Sequence, residues 1–215
     1  MIELVDCHVN SLPLLAKPDT ESALVYLEGA FVDPTITKEK LLRLQQMAGV
    51  DIIGVTGRNA LRDGRRYWCK VEAELKDWRP APMPLNEADI VAAIEAVLGL
   101  ESKLRKVYRK SVWLGYSQGA IVALLAQMEA PNQLSNVVAI CPGTVTNRHF
   151  HRCVGCFTSL VVADEDLYCD GKMREELASS LGVDAILVNQ HRHAWSERLA
   201  CVAVKEAAQY LNHKL

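Results

Sequence analysis

Three short stretches carry residue types that could act together. Gly115-Tyr116-Ser117-Gln118-Gly119 reads Gly-x-Ser-x-Gly. A serine in such a turn sits on a strained strand-to-helix corner, its hydroxyl pushed out over the end of a sheet. The glycines leave room for the tight turn and for the helix to pass close to the strand. Ala163-Asp164-Glu165-Asp166 supplies carboxylates, and His191-Arg192-His193 supplies two imidazoles. A serine hydroxyl is a weak nucleophile until a base takes its proton, and an imidazole does this near neutral pH. A carboxylate on the other ring nitrogen fixes the tautomer and stabilises the imidazolium. His193 is the preferred base, because Ser196 just after it can cap the final helix; His191 is the alternative. Asp166 is the preferred acid, because Asp164 directly follows a strand and can instead hold the turn. A tetrahedral oxyanion needs backbone N–H donors. One is expected from Gln118, right after the serine. The other should come from the loop around Gly29-Ala30-Phe31, with Ala30 the choice.

The surrounding pattern says which elements must position these groups. Leu4 to Val9 suggests a short edge strand. Ser22 to Leu27 reads as a buried strand that stops at Glu28-Gly29-Ala30. Thr37 is expected to cap a helix that Gly49 ends, and Val50 to Val55 is the next strand. Residues 56 to 85 are too long for a plain connection, as functional loops often are. They carry Arg58, Arg62, Arg65, Arg66, Tyr67 and Trp68, and a short helix over 71–75. The stretch reads either as a solvated basic loop or as a flap on the substrate side. Asn86 caps a helix from Glu87 to about Leu100. The Ser117 strand and its helix to about Glu129 follow. Strands at Val137 to Ile140, Thr158 to Val162 and Ala185 to Val188 complete the set, with helices at Gly171 to Leu181 and Ser196 to about Leu211.

Strands alternating with helices imply a mostly parallel sheet covered on both faces. Loops at the carboxyl ends of such strands gather into one crevice. Ser117, the Asp164/Asp166 pair and the His191/His193 pair all fall at such ends. Acid after serine, with histidine last, is also the order of the triad on an α/β-hydrolase sheet. The expected fold is therefore an α/β-hydrolase domain over 1–215 with a minimal cap.

The chain is similar to the phospholipase/carboxylesterase branch of the α/β hydrolases, which includes the acyl-protein thioesterases. Leu114-Gly115-Tyr116-Ser117-Gln118-Gly119-Ala120 resembles that family's Gly-Phe-Ser-Gln-Gly, with glutamine after the nucleophile. Ala163-Asp164-Glu165-Asp166 resembles its Gly-Asp-x-Asp, whose second Asp is the triad acid. His193-Ala194-Trp195-Ser196-Glu197 resembles its histidine segment, and Arg66-Tyr67-Trp68 an aromatic motif before its long central helix. The resemblance implies Ser117, Asp166 and His193 as catalytic residues. Two stretches depart from it. The family's His-Gly-x-Gly loop reads here Glu28-Gly29-Ala30-Phe31, and Arg192 stands where glycine commonly precedes the histidine.

Composition narrows the alternatives. The 215 residues carry a formal charge of −2 and no basic stripe, so nucleic acid is not an expected partner. No apolar run is long enough for a membrane span, and the start of the chain lacks the pattern of a signal peptide. Seven scattered cysteines fit free thiols in a reducing compartment, and cytoplasmic location is expected. His149, His151, Cys153 and Cys156 could supply four zinc ligands, but structural zinc sites usually join two separated knuckles. The expected reading there is free thiols in a loop, with neither metal nor cofactor. The leading expectation is a serine hydrolase that cleaves carboxylic esters or thioesters through an acyl-enzyme. Its substrate would be a small ester, a lysophospholipid or an acylated protein. The alternative is a binding protein on the same fold with weak catalysis, motivated by the altered Glu28–Phe31 loop.

Overall fold

The computed structural model describes residues 2–6, 20–72 and 82–212. Seven strands form one sheet in the order β1-β3-β2-β6-β7-β8-β9, and every neighbouring pair is parallel. They are β1 Ile2–Asp6, β2 Ser22–Leu27, β3 Asp51–Thr56, β6 Lys110–Tyr116, β7 Asn136–Ile140, β8 Phe157–Glu165 and β9 Ala185–His191. Two short strands, β4 Asn59–Ala60 and β5 Arg66–Tyr67, pair antiparallel as a separate hairpin. The helices are α1 Pro34–Ala48, α2 Glu87–Leu104, α3 Gln118–Glu129, α4 Gly171–Leu181 and α5 Glu197–Asn212.

The strands are apolar runs because both sheet faces are buried. Successive side chains point to opposite faces, which splits the core in two. Ala23, Val25, Leu27 and Trp113 pack with α2, α3 and α4. Leu24, Tyr26, Val112 and Leu114 pack on the other face with Leu41 and Leu44 of α1 and Leu199 and Ala203 of α5. Truncating a fully buried leucine such as Leu114 to alanine should cost about 2–5 kcal/mol.

The topology fixes where a site can form. From β2 the chain proceeds outward to β3, then returns to β6 on the other side of β2. The reversal opens a crevice at the carboxyl ends of β2 and β6. The Glu28–Phe31 loop leaves one of those ends and Ser117 leaves the other.

Several boundaries differ from the sequence pattern. Asp33, not Thr37, caps α1: its carboxylate accepts from the Thr35 N–H at 2.7 Å, and Pro34 starts the helix. Thr37 lies one turn inside and is buried. Gly49 ends α1 in the left-handed conformation as expected, and Asn86 caps α2. The short helix expected over 71–75 is not there at its start, since Val71 bridges Leu85; residues 73–81 lie outside the described residues. The β8 strand runs on through Asp164 and Glu165, and β9 runs on to His191, because Glu165 and His191 pair across a register shift. Asp164 is thus inside a strand rather than after it. The edge strand falls at Ile2–Asp6; the part expected over 7–9 lies outside the described residues.

Candidate active site

Ser117 stands between the last residue of β6 and the first of α3, with φ 53° and ψ −119°. A non-glycine residue here is strained, at about 1–3 kcal/mol, and persists only where its surroundings over-determine it. They do so here. The Ser117 N–H donates to Ile140 O at 2.9 Å, and its carbonyl accepts from Ala120 N at 3.0 Å. The flanking glycines are steric necessities. A Cβ on Gly115 would lie 2.5 Å from Ala120 Cα, and one on Gly119 would lie 2.5 Å from the carbonyl oxygens of both Leu27 and Glu28.

His193 meets Ser117 from the loop after β9. Its Nε2 lies 2.7 Å from Ser117 Oγ, and its Nδ1 lies 2.8 and 3.0 Å from the two oxygens of Asp166. An ionised carboxylate can only accept, so Nδ1 carries the hydrogen and Nε2 accepts from the Ser117 hydroxyl. The Asp166 side chain is wholly buried, and the Tyr168 N–H donates to its Oδ1 at 2.8 Å. Tyr116 stacks on the His193 ring at 5.5 Å, and Tyr168 meets it edge-on at 4.5 Å. The imidazole is thus clamped between two rings and a carboxylate, in a pose that can take a proton from the serine. Ser196 Oγ accepts from Leu199 N at the start of α5. His191 is the last residue of β9, and its side chain lies outside the described residues. The Asp164 carbonyl accepts from Arg174 at 3.2 Å.

Cys141, Asp166 and His193 bring their donor atoms within 4.8 Å of one another, and form the one such group of metal-ligand types among the described residues. Burial, then the Asp166 charge, pushes the Cys141 thiol well above its ordinary range. It therefore stays protonated and can donate to the carboxylate, as a third group holding the acid. His149, His151, Cys153 and Cys156 do not gather in this way. Cys153 and Cys156 are both free and half-buried.

The loop after β2 is held by a network that the sequence did not announce. Glu28 is buried, and its Oε1 accepts from Tyr26 OH, Gly29 N and Lys40 Nζ, each at 2.9 Å. Its Oε2 accepts from Thr37 Oγ1 and Lys40 Nζ, each at 3.0 Å. Lys40 is itself nearly buried, with its ammonium over the rings of Tyr116 and Trp195 at 5.4 and 5.3 Å. Phe31 has φ 61° and donates its N–H to Arg66 O of the hairpin. The fully buried Trp68 donates its indole N–H to Glu28 O at 2.8 Å. Its backbone N–H and that of Cys69 both donate to Gln118 Oε1. Within the 56–85 stretch, the segment around Trp68 is pinned to the turn that carries Ser117, while Arg62 and Arg65 stay exposed; residues 73–81 lie outside the described residues. In this loop the Gly29 and Phe31 amides have acceptors. Ala30 and Gln118, the first residue of α3, both line the space beside Ser117. The first N–H groups of a helix have no acceptor inside it.

Among the described residues, two clefts open on the serine. One has a volume of about 550 Å³ and mixes charged walls, Glu39, Arg43 and Arg65, with apolar ones, Val32, Ile36 and Trp195. The other is about 130 Å³ and is walled by Phe31, Val71, Met83 and Tyr168. Among the described residues no helix is long and apolar enough to cross a membrane.

No protein-family model matches the sequence, and no curated protein matches it either. Solved structures do resemble it. A carboxylesterase from Mesorhizobium loti superposes with a TM-score of 0.71 at 20% identity, covering 90% of each chain. The Bacillus cereus carboxylesterase gives 0.67 at 19% identity, over 88% of this chain and 90% of that one. Arabidopsis thaliana SOBER1 gives 0.65 at 12% identity, over 89% of this chain and 99% of the other. At these identities the likeness is one of architecture, and the architecture is the α/β-hydrolase fold.

Proposed function

We propose that the protein is a serine hydrolase that cleaves carboxylic esters or thioesters. Ser117 is the nucleophile, His193 the general base and acid, and Asp166 the group that orients and stabilises the imidazolium. The observation that carries this reading is the unbroken chain from Ser117 Oγ through both nitrogens of His193 to Asp166, with contacts of 2.7 and 2.8 Å. Ser117 Oγ attacks the acyl carbonyl as its proton passes to Nε2. The Oγ–C bond forms, and the carbonyl π pair moves to the oxygen. The amides of Ala30 and Gln118 receive that charge. The pair returns, the bond to the alcohol or thiol breaks, and Nε2 gives its proton to the leaving group. Water then repeats the cycle on the acyl-enzyme, releasing the acid and restoring the serine.

The resemblance to carboxylesterases supports ester hydrolysis, and the thioester half of the proposal rests on the shared acyl-transfer chemistry. The test is hydrolysis of p-nitrophenyl esters by wild type, Ser117→Ala and His193→Ala, with phosphonate labelling read by mass on the Ser117 peptide. A loss of at least about 10³-fold in both variants, with labelling only where Ser117 is present, is expected. Activity surviving Ser117→Ala removes the proposal. An inert wild type that takes no phosphonate would leave a binding protein on a hydrolase fold.

A further inference from the structure

Two clefts of unequal size and unlike chemistry meet at Ser117, and the assignment of a substrate to them follows from their walls. Both are bordered by Ala30, Phe31, Ser117 and His193. Only the narrow one is bordered by Gln118. Its remaining walls are Val71, Met83 and Tyr168, which are apolar save for one phenol. The wide cleft runs along one face of α1, where Ile36, Lys40 and Arg43 recur at helical spacing, and reaches Arg65 of the hairpin. Charges of both signs face it. Phe31 is the partition, in contact with Tyr67 at 5.6 Å between ring centres.

Resting on the serine-esterase reading, we propose that the narrow cleft receives the acyl chain and the wide cleft the alcohol or thiol. The substrates are then esters of short-chain acids with a bulky, polar leaving group. The apolar chain belongs with the apolar walls, since burying it against the exposed Glu39, Arg43 and Arg65 would strip water from charges that it cannot satisfy. At about 130 Å³ against about 550 Å³, the narrow cleft suits the smaller part of the ester, a short acyl tail. Length is limited by the Met83 side chain. It packs so closely against Gly143 that a Cβ there would lie 2.3 Å from Met83 Cε. The leaving group is the larger partner because its cleft is about four times as large, and it carries polar groups because Glu39, Arg43 and Arg65 stand among the apolar walls Val32, Ile36 and Trp195.

Two ester series separate the halves of the proposal. With p-nitrophenol fixed as leaving group, kcat/KM for acetate and butyrate should exceed that for octanoate by about tenfold or more. Met83→Ala and Phe31→Leu, each reshaping the narrow cleft, should shift the butyrate-to-octanoate ratio toward octanoate by about fivefold. With acetate fixed, an acetylated glucose should be turned over about tenfold faster than ethyl acetate, and Arg43→Ala should shrink that advantage while leaving the acyl-length ratio unchanged. Octanoate preferred by wild type, an acyl-length ratio unmoved by both narrow-cleft variants, or ethyl acetate favoured over the sugar ester would overturn the assignment. A phosphonate adduct on Ser117 alongside any of these results leaves the esterase reading intact. Absence of adduct and of turnover with every ester removes that reading and the cleft assignment together.

Discussion

The two loops that meet at the candidate site are built on different principles. The turn carrying Ser117 is fixed by backbone sterics. Gly115 and Gly119 sit where any Cβ would strike backbone atoms at 2.5 Å, so the geometry dictates residue type. The loop after β2 is fixed by side chains. Glu28 gathers five hydrogen bonds from Tyr26, Gly29, Thr37 and Lys40, and Trp68 and Arg66 hold the backbone from outside. A steric requirement has one solution and leaves a motif. A hydrogen-bonding requirement has many solutions and leaves none.

The largest expected effect on stability therefore lies in the second loop. Glu28 and Lys40 are both buried, and removing one partner strands the other. Lys40→Met should destabilise the fold by about 3–5 kcal/mol, since an unpaired buried carboxylate is the costly outcome. Lys40→Met combined with Glu28→Leu should recover much of that loss, as apolar replacements of a buried pair often do. Urea midpoints of the two variants decide it. If the single variant costs no more than a surface substitution, the loop is not held by this pair.

The turn is expected to respond differently. Gly119→Ala drives a methyl into the carbonyls of Leu27 and Glu28, which belong to β2 and its loop and have little room to move. A cost of about 1–3 kcal/mol is expected, with activity lost by more than stability explains, because the strand end, Ser117 and the Ala30 amide shift together. Gly64→Ala is the contrast. Its position at φ 87° has open space around it, so only backbone strain of about 1–2 kcal/mol is paid, and esterase kinetics should not change. Equal kinetic losses in both would show that the Gly119 effect is not a matter of contact.

The same division explains what was legible beforehand. Strand positions, the Ser117 turn and the order serine, acid, histidine were readable, because burial on both sheet faces and the turn's sterics restrict residue type. His193 and Asp166, preferred over their neighbours on capping and turn grounds, are the pair brought to Ser117, and the reason is partly visible only in the fold. Asp164 continues β8, and His191 ends β9, so both precede the points where the chain is free to turn toward Ser117. The role of Lys40 was not legible. With the cap expected at Thr37 it would stand in the first turn; the helix instead begins at Pro34, and Lys40 is buried on the inner face of α1. Asp33 took the cap, Thr37 and Lys40 rotated inward, and Glu28 had its partners. Nor could the clefts be read, since their walls come from Phe31, Val71, Met83 and Tyr168, scattered along the chain.

Beneath both loops lie thiols that burial keeps protonated. Cys69, whose backbone binds the Gln118 side chain, and Cys169, after Tyr168, are pushed up to about 12 from 9.0, mainly by desolvation. Cys141 moves the same way for the same reason. Folding raises these values, so above about pH 9 the unfolded chain releases protons that the folded chain keeps. The stability they supply is complete below that pH and is lost as pH climbs toward 12. Urea midpoints should therefore fall between about pH 8 and about pH 10.5, and Cys69→Ala with Cys169→Ala should flatten the slope. Iodoacetamide mapped at neutral pH should modify the exposed Cys201 well before these three. Early alkylation of Cys69 would mean that the Trp68–Gln118 clamp opens readily.

The smallest expected effect falls on another of the non-glycine residues with positive φ. Arg192 has φ 80°, directly before His193, and Phe31 has φ 61° in the loop after β2. In both places the backbone adopts a conformation that favours glycine and the residue is not glycine. Arg192→Gly removes strain of about 1–2 kcal/mol but adds backbone entropy to the unfolded chain of about 0.5–1 kcal/mol. A net gain of about 1 kcal/mol or less should appear as a small rise in Tm, with kcat/KM unchanged because His193 keeps its ring clamps and its carboxylate. Phe31→Gly should give no such rise, because the ring's contact with Tyr67 is lost as the strain is relieved. If instead kcat/KM falls in Arg192→Gly, the strained residue is setting the approach of His193 to Ser117, and the histidine loop belongs with the side-chain-held half of the site.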